Sequence, residues 1–161
     1  MRKYFVLILL LLNTTSSLTQ HHYIFSPGIK LGYAFGENGG FAFGFEGSFM
    51  ITGEYGDDPI YGIVFDYDWG GEINKFHIGF EYIRYLGGLD IGPTIAWKDE
   101  QSYLGFSVIP FIGVLINPYY NYTFLNSEFD LHEVGAYLKV PIQIDDHRFT
   151  WHRSRRYEHE Y

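Results

Sequence analysis

From Phe25 to Ile142 the chain alternates bulky and small residues with period two, and this alternation limits what it can fold into more than any other feature. Successive side chains on a strand point to opposite faces, so the pattern predicts strands rather than helices. In the first segment Phe25, Pro27, Ile29, Leu31, Tyr33 and Phe35 point one way, while Ser26, Gly28, Lys30, Gly32, Ala34 and Gly36 point the other. Beyond Glu37-Asn38-Gly39, a turn signal, Phe41, Phe43, Phe45, Phe49 and Ile51 oppose Ala42, Gly44, Glu46, Ser48 and Thr52, which predicts a hairpin. The same rule gives strands from Tyr61 to Trp69, Phe76 to Tyr82, Asp90 to Trp97, Leu104 to Val114, Tyr120 to Leu125 and Glu133 to Ile142. In the sixth of these Ile109, Phe111 and Leu115 fall on the small face, and the seventh is short. Most segments run about 9–12 residues, the length of a tilted strand crossing a bilayer.

Which face points inward decides the class. An eight-stranded barrel has an interior that side chains just fill, so roughly thirty large side chains cannot sit inside it. The small faces fit, which puts the aromatic faces outside, against lipid. The expected fold is therefore all-β: an antiparallel up-and-down transmembrane β-barrel of about eight strands. Two soluble alternatives bury the bulky faces instead: a two-sheet sandwich, and a secreted lipocalin-like barrel with an apolar cavity. Against both, glycine inside a strand weakens it and needs a local reason, which packing in a narrow lumen supplies.

The barrel reading gathers the charges of the small faces in the interior. Lys30, Glu46, Asp66, Asp68, His77, Glu81, Asp90, Glu133 and Lys139 form the expected interior polar network, with Lys75 and Lys98 as further cations. A three-residue turn at Glu37 to Gly39 would set Lys30 directly opposite Glu46. Arg84 and His132 fall on the apolar side, near strand ends where they reach lipid headgroups.

Residues 1–19 read as a cleaved export signal: Arg2 and Lys3, an unbroken apolar stretch from Tyr4 to Leu12, then small polar residues. The apolar stretch is far shorter than the roughly 20 residues a spanning helix needs. Residues 20–142 make the barrel domain and residues 143–161 a polar C-terminal tail. Without the signal, nine Lys and Arg remain against nineteen Asp and Glu, a formal charge of −10 that argues against nucleic acid as a partner. The chain has no cysteine, which excludes disulfides, thiolate metal sites and a lipid-modified N-terminal cysteine.

The stretch up to Ile142 resembles, in its pattern, the eight-stranded outer-membrane barrels of the OmpA and OmpX kind. Tyr137-Leu138-Lys139-Val140-Pro141-Ile142 is similar to the strand signature of PorT-like outer-membrane barrels, and Pro27-Gly28-Ile29-Lys30-Leu31-Gly32-Tyr33 fits it too. The resemblance implies the outer membrane of a gram-negative bacterium. Two features depart from it: nineteen residues follow Ile142 where such barrels end on an aromatic, and every connection is about seven residues or fewer where such barrels display long loops.

Three constellations invite a chemical reading. Asp66-Tyr67-Asp68-Trp69-Gly70-Gly71-Glu72 begins like a calcium loop, but Gly70 and His77 stand where an oxygen ligand and the closing glutamate belong. His77, Ser48, Ser107, Asp68 and Glu81 share the inner face and could be assembled into an acyl-transfer set, with no supporting motif such as Gly-x-Ser-x-Gly. The tail from His147 to Arg156 reads as a solvated end, or as a contact for anionic headgroups or an envelope partner through Phe149 and Trp151. Asn121-Tyr122-Thr123 matches a glycosylation acceptor but lies within a strand. The expectation is a structural or interaction protein of the cell envelope whose partners are membrane lipid and an envelope protein. No catalytic residues, cofactor or metal are expected; the alternatives are a membrane-embedded lipid-modifying enzyme and the soluble lipocalin-like binder of an apolar ligand.

Overall fold

The computed structural model describes residues 22–36, 39–53, 58–126 and 130–144. The strands are β1 His22–Phe35, β2 Gly40–Thr52, β3 Ile60–Trp69, β4 Asn74–Arg84, β5 Gly87–Lys98, β6 Gln101–Ile112, β7 Ile116–Leu125, β8 Leu131–Lys139 and β9 Ile142–Ile144. Each pairs antiparallel with the next from β1 to β8, and β8 pairs back onto β1, so the sheet closes on itself. Closure satisfies the ladder groups that an open edge would leave exposed. β9 is the continuation of β8: Gly28 pairs with Lys139 and Phe25 with Ile142 in one unbroken register along β1. The break lies at Val140-Pro141, opposite Ser26-Pro27, where two prolines lack the N–H a ladder needs. The wall therefore has eight staves, and pairing extends to Ile144, two residues past the end of the clean alternation.

Connections run from two residues, at 85–86 and 99–100, to seven, at 53–59. At 99–100, Asp99 and Glu100 both adopt positive φ (48° and 66°), the backbone of a tight hairpin whose twist matches its strands. An even number of staves leaves both ends of the described chain on one rim, with connections 53–59, 85–86 and 113–115. The opposite rim carries 36–39, 70–73, 99–100 and 126–130.

Burial alternates along the staves: β3 reads half-buried, then exposed and buried by turns to its end. The exposed positions hold the aromatic and aliphatic side chains, Phe45 at 61% and Leu104 at 59% among them. Neighbouring rings pack on this outer surface, as in Phe45 with Trp69 at 5.1 Å and Tyr33 with Phe41 at 5.3 Å between centroids. The buried positions hold small and charged residues, so the lumen is filled. Each rim adds an apolar cluster inside it. Ile73, Ala96, Leu125 and Leu131, with Tyr103, lie toward the 70–73 rim, and Ile109, Phe111, Tyr119 and Tyr137, with Ile83, toward the other.

Closure into one barrel overturns the sandwich, and a lumen lined by charge leaves the lipocalin-like alternative without its apolar cavity. The seventh strand is longer than the alternation suggests, starting at Ile116 rather than Tyr120. Pro118 falls within it and Pro110 within β6, and β6–β7 pairing is interrupted between Val108↔Tyr122 and Phe111↔Tyr119. Two residues without an N–H locally weaken the ladder without ending the strand.

Candidate functional site

Among the described residues, polar chemistry concentrates in the lumen, and its residues come from all eight staves. Lys30 on β1, Lys75 on β4 and Lys139 on β8 face Glu46, Asp66, Asp68, Glu81, Asp90 and Glu133, and every one of these side chains is buried. They divide into three groups.

The first group surrounds Lys30, which is 1% exposed. Its ammonium donates to Asp66 Oδ2 at 2.8 Å and Asp68 Oδ2 at 2.7 Å, with Glu133 Oε1 at 3.4 Å. Lys75 donates to Glu133 and lies 3.2 Å from Asp68 Oδ2. The Tyr119 hydroxyl also donates to Glu133. The ring of Tyr119 stacks on Tyr137 at 4.4 Å, and the Lys30 ammonium lies 5.0 Å from the Tyr119 centroid. Glycine makes the room: a methyl group at Gly32 or Gly135 would run into the Tyr119 hydroxyl.

In the second group Lys139 donates to Glu81 Oε1 at 2.6 Å and pairs with Glu46 Oε1. Ser48 donates to Glu46 Oε1 at 2.9 Å. In the third, His77 Nε2 meets Asp90 Oδ2 at 3.0 Å and its Nδ1 meets Thr94 Oγ1 at 2.9 Å. From Thr94 a row of hydroxyls continues to Ser107 at 2.6 Å and Thr123 at 2.7 Å, and ends on Asn121 Oδ1 at 3.1 Å.

Two expectations about these residues need correction. Lys30 stands opposite Gly44, not Glu46, which pairs instead with Gly28 and Asp66. Gly36 takes a left-handed backbone (φ 104°) and the Gly39 N–H bonds to its carbonyl at 3.0 Å, so the turn closes two positions away from a three-residue loop. Glycine opposite Lys30 then leaves space that Asp68 occupies from β3: a methyl group at Gly44 would meet Asp68 Oδ1. Lys98 is not a lumen cation but a rim residue, donating to Glu72 at 2.9 Å. That hydrogen bond and charge raise the pKa of its ammonium above the ordinary lysine value. Of the residues that could be assembled into an acyl-transfer set, His77 meets Asp90 and Thr94 and reaches Ser107 only through Thr94, whereas Ser48 is bound to Glu46 and Asp68 to the Lys30 group. Asp66 and Asp68 turn their carboxylates to Lys30.

The alternation places Thr94 on the small face, whereas Thr123, Tyr119 and Asn121 are lumen residues that it did not single out. The pairings His77↔Thr94 and Ser107↔Thr123 carry the missing signal, but they become visible only once register is known. On the outer face, the Tyr120 hydroxyl and His132 Nδ1 are 2.6 Å apart, and Arg84 stacks near Tyr85 at 5.3 Å.

No family model matches the chain, and no curated protein matches it. Among solved structures it is similar to the crystal structure of Neisserial surface protein A, with TM-score 0.48 and 14% identity over 73% of this chain and 96% of that one. It is also similar to the Yersinia pestis outer membrane protein Ail in a phospholipid bilayer nanodisc, with TM-score 0.40 and 10% identity over 71% and 99%. A de novo designed barrel, TMB2.3, gives TM-score 0.41 and 11% identity over 73% and 95%.

Proposed function

We propose that this chain is an outer-membrane barrel of a gram-negative envelope with a structural or interaction role, closed to solutes and without catalytic activity. The observation that carries this reading is the inversion of an ordinary protein: an apolar, aromatic wall outside and six buried carboxylates with three buried lysines inside. An exposed apolar surface of that extent is stable only against lipid or another apolar partner. Export by residues 1–19 and their removal belong to the same reading, as does a contact of the tail, residues 143–161, with anionic headgroups or an envelope protein; both lie mainly outside the described residues.

A lipid-modifying activity would need a hydroxyl nucleophile within reach of an acyl chain. Thr94 and Ser107, the hydroxyls nearest His77, are 1% and 0% exposed on the lumen side, which supports a role in holding the wall. Short connections on both rims give little surface for an adhesin, so the partner is expected within the membrane or at its inner leaflet.

The test is to express the chain with residues 1–19 in a gram-negative host, fractionate the envelope, and compare gel mobility of the detergent-extracted protein with and without boiling. Outer-membrane recovery, a boiling-dependent shift and no conductance steps in a planar bilayer are expected. A soluble periplasmic product without a shift would overturn the reading.

A further inference from the structure

Charge in the lumen does not balance. Around Lys139 one ammonium meets two carboxylates, and around Lys30 and Lys75 two ammoniums meet three. An excess carboxylate shut away from water is costly unless something neutralises it. The hydrogen bonds mark the same places. Among the described residues, the buried side-chain oxygens without a partner are Glu46 Oε2 and Glu81 Oε2 in one group, and Asp66 Oδ1 and Asp68 Oδ1 in the other. The Asp90 carboxylate, which meets His77 Nε2 at 3.0 Å, has none.

We propose that Glu46 and Glu81 share one bound proton over Lys139, carried as an O–H on the oxygens that lack a partner. Both carboxyls reach the same ammonium through Oε1, and both line one space together with Asp90, Tyr137, Ile109 and Phe111. That space is too narrow for a water molecule. A hydrated cation therefore has no room, and among the described residues no three carboxylate or imidazole groups converge as metal ligands. A proton needs neither room nor a third ligand. With it the group becomes neutral, Lys139 keeps both of its acceptors, and the added O–H supplies the donor that the free oxygens lack.

The groups facing the pair are accounted for. Lys139 on β8 pairs with both glutamates, and Ser48 on β2 donates to Glu46. Asp66 on β3 and Asp90 on β5 are acidic, Asp66 held by Lys30 on β1 and Asp90 by His77 on β4. Tyr137 on β8 has its hydroxyl 3.5 Å from Asp66 Oδ2.

The direct reading is the infrared C=O stretch of a neutral carboxylic acid, recorded on the full-length barrel refolded into phosphatidylcholine vesicles in D2O at neutral pD. Wild type minus E46Q and wild type minus E81Q should each show one such band. Either substitution leaves a single carboxylate that pairs with Lys139 as an ion, and its amide replaces the shared O–H. A flat difference spectrum for either variant would overturn the proposal. Boiling-dependent gel mobility checks that each variant folds. If neither folds, E46D and E81D replace them: each should move the wild-type band, and a band that neither moves, or no band at any pD where the barrel is folded, would overturn the proposal. Linkage gives the sign of the effect on stability. The unfolded chain has ordinary glutamates, which have released their protons at neutral pH, so the folded barrel holds the extra proton and the wild-type urea midpoint falls as pH rises above neutrality. That fall should be shallower in E46Q and E81Q.

Discussion

The two polar systems of the lumen are built from similar residues in opposite ways. The lysine groups reach across: Lys30 on β1 bonds to β3, Lys75 on β4 to β8, and Lys139 on β8 to both β2 and β4. The hydroxyl row runs along the wall, each contact joining neighbours, from β4 to β5, β5 to β6 and β6 to β7. Neighbouring staves are already held by their ladders, so a hydroxyl contact between them adds one bond to many. Staves on opposite sides share no ladder, and there the buried ion pairs are the specific link. The charged system also contains its own hazard, because an ion that loses its partner stays buried, whereas a hydroxyl that loses its partner has neighbours to turn to.

The sharpest break is Lys30→Met, which keeps the length and apolar stem of the side chain and strands Asp66 and Asp68. It should destabilise by about 3–5 kcal/mol in urea unfolding from lipid vesicles. A loss below about 1 kcal/mol would mean that water enters the lumen and replaces the lysine. Gly32→Ala tests whether the space beside Tyr119 and Glu133 matters to the cross-lumen link. Overpacking against the hydroxyl that serves Glu133 should cost about 1–3 kcal/mol, read as a lower thermal midpoint. Ser107→Ala removes the middle of the hydroxyl row and should cost about 1 kcal/mol, and a double-mutant cycle with Thr94→Val should show the two substitutions to be non-additive. At the rim, Lys98→Ala should leave the thermal midpoint nearly unchanged, and any difference should shrink in high salt.

Much of this molecule is legible in its sequence, because period-two alternation reports the two faces of a strand directly and lumen volume reports which face is inside. That reasoning put Lys30, Glu46, Asp66, Asp68, His77, Glu81, Asp90, Glu133 and Lys139 on a single face. It could not say which of them meet. Partnership across a lumen depends on register and tilt, and a single turn decides register: the bond between Gly39 and Gly36 moves every β1–β2 partner by two positions, separating Lys30 from Glu46. The short seventh strand has a similar origin. The clean alternation begins only at Tyr120, yet the strand starts at Ile116 and runs through Pro118 because β8 pairs alongside from Ile116 to Thr123. Lys98 was misplaced for a simpler reason. Facing direction says which side a residue is on but not how near the rim it lies, and a long side chain there turns outward to Glu72.

The central claim is that one face of every stave meets lipid and the other meets a dry, charged lumen. With no native cysteine, single cysteines at residues 63 to 67 can each carry a spin label, and accessibility to oxygen and to a water-soluble nickel complex can be measured in vesicles. Labels replacing Ile63, Phe65 and Tyr67 should be reached by oxygen and shielded from nickel, whereas labels at Val64 and Asp66 should be reached poorly by both, in strict alternation. Nickel access at the odd positions, or no alternation at all, would contradict a lipid-facing wall around a filled lumen.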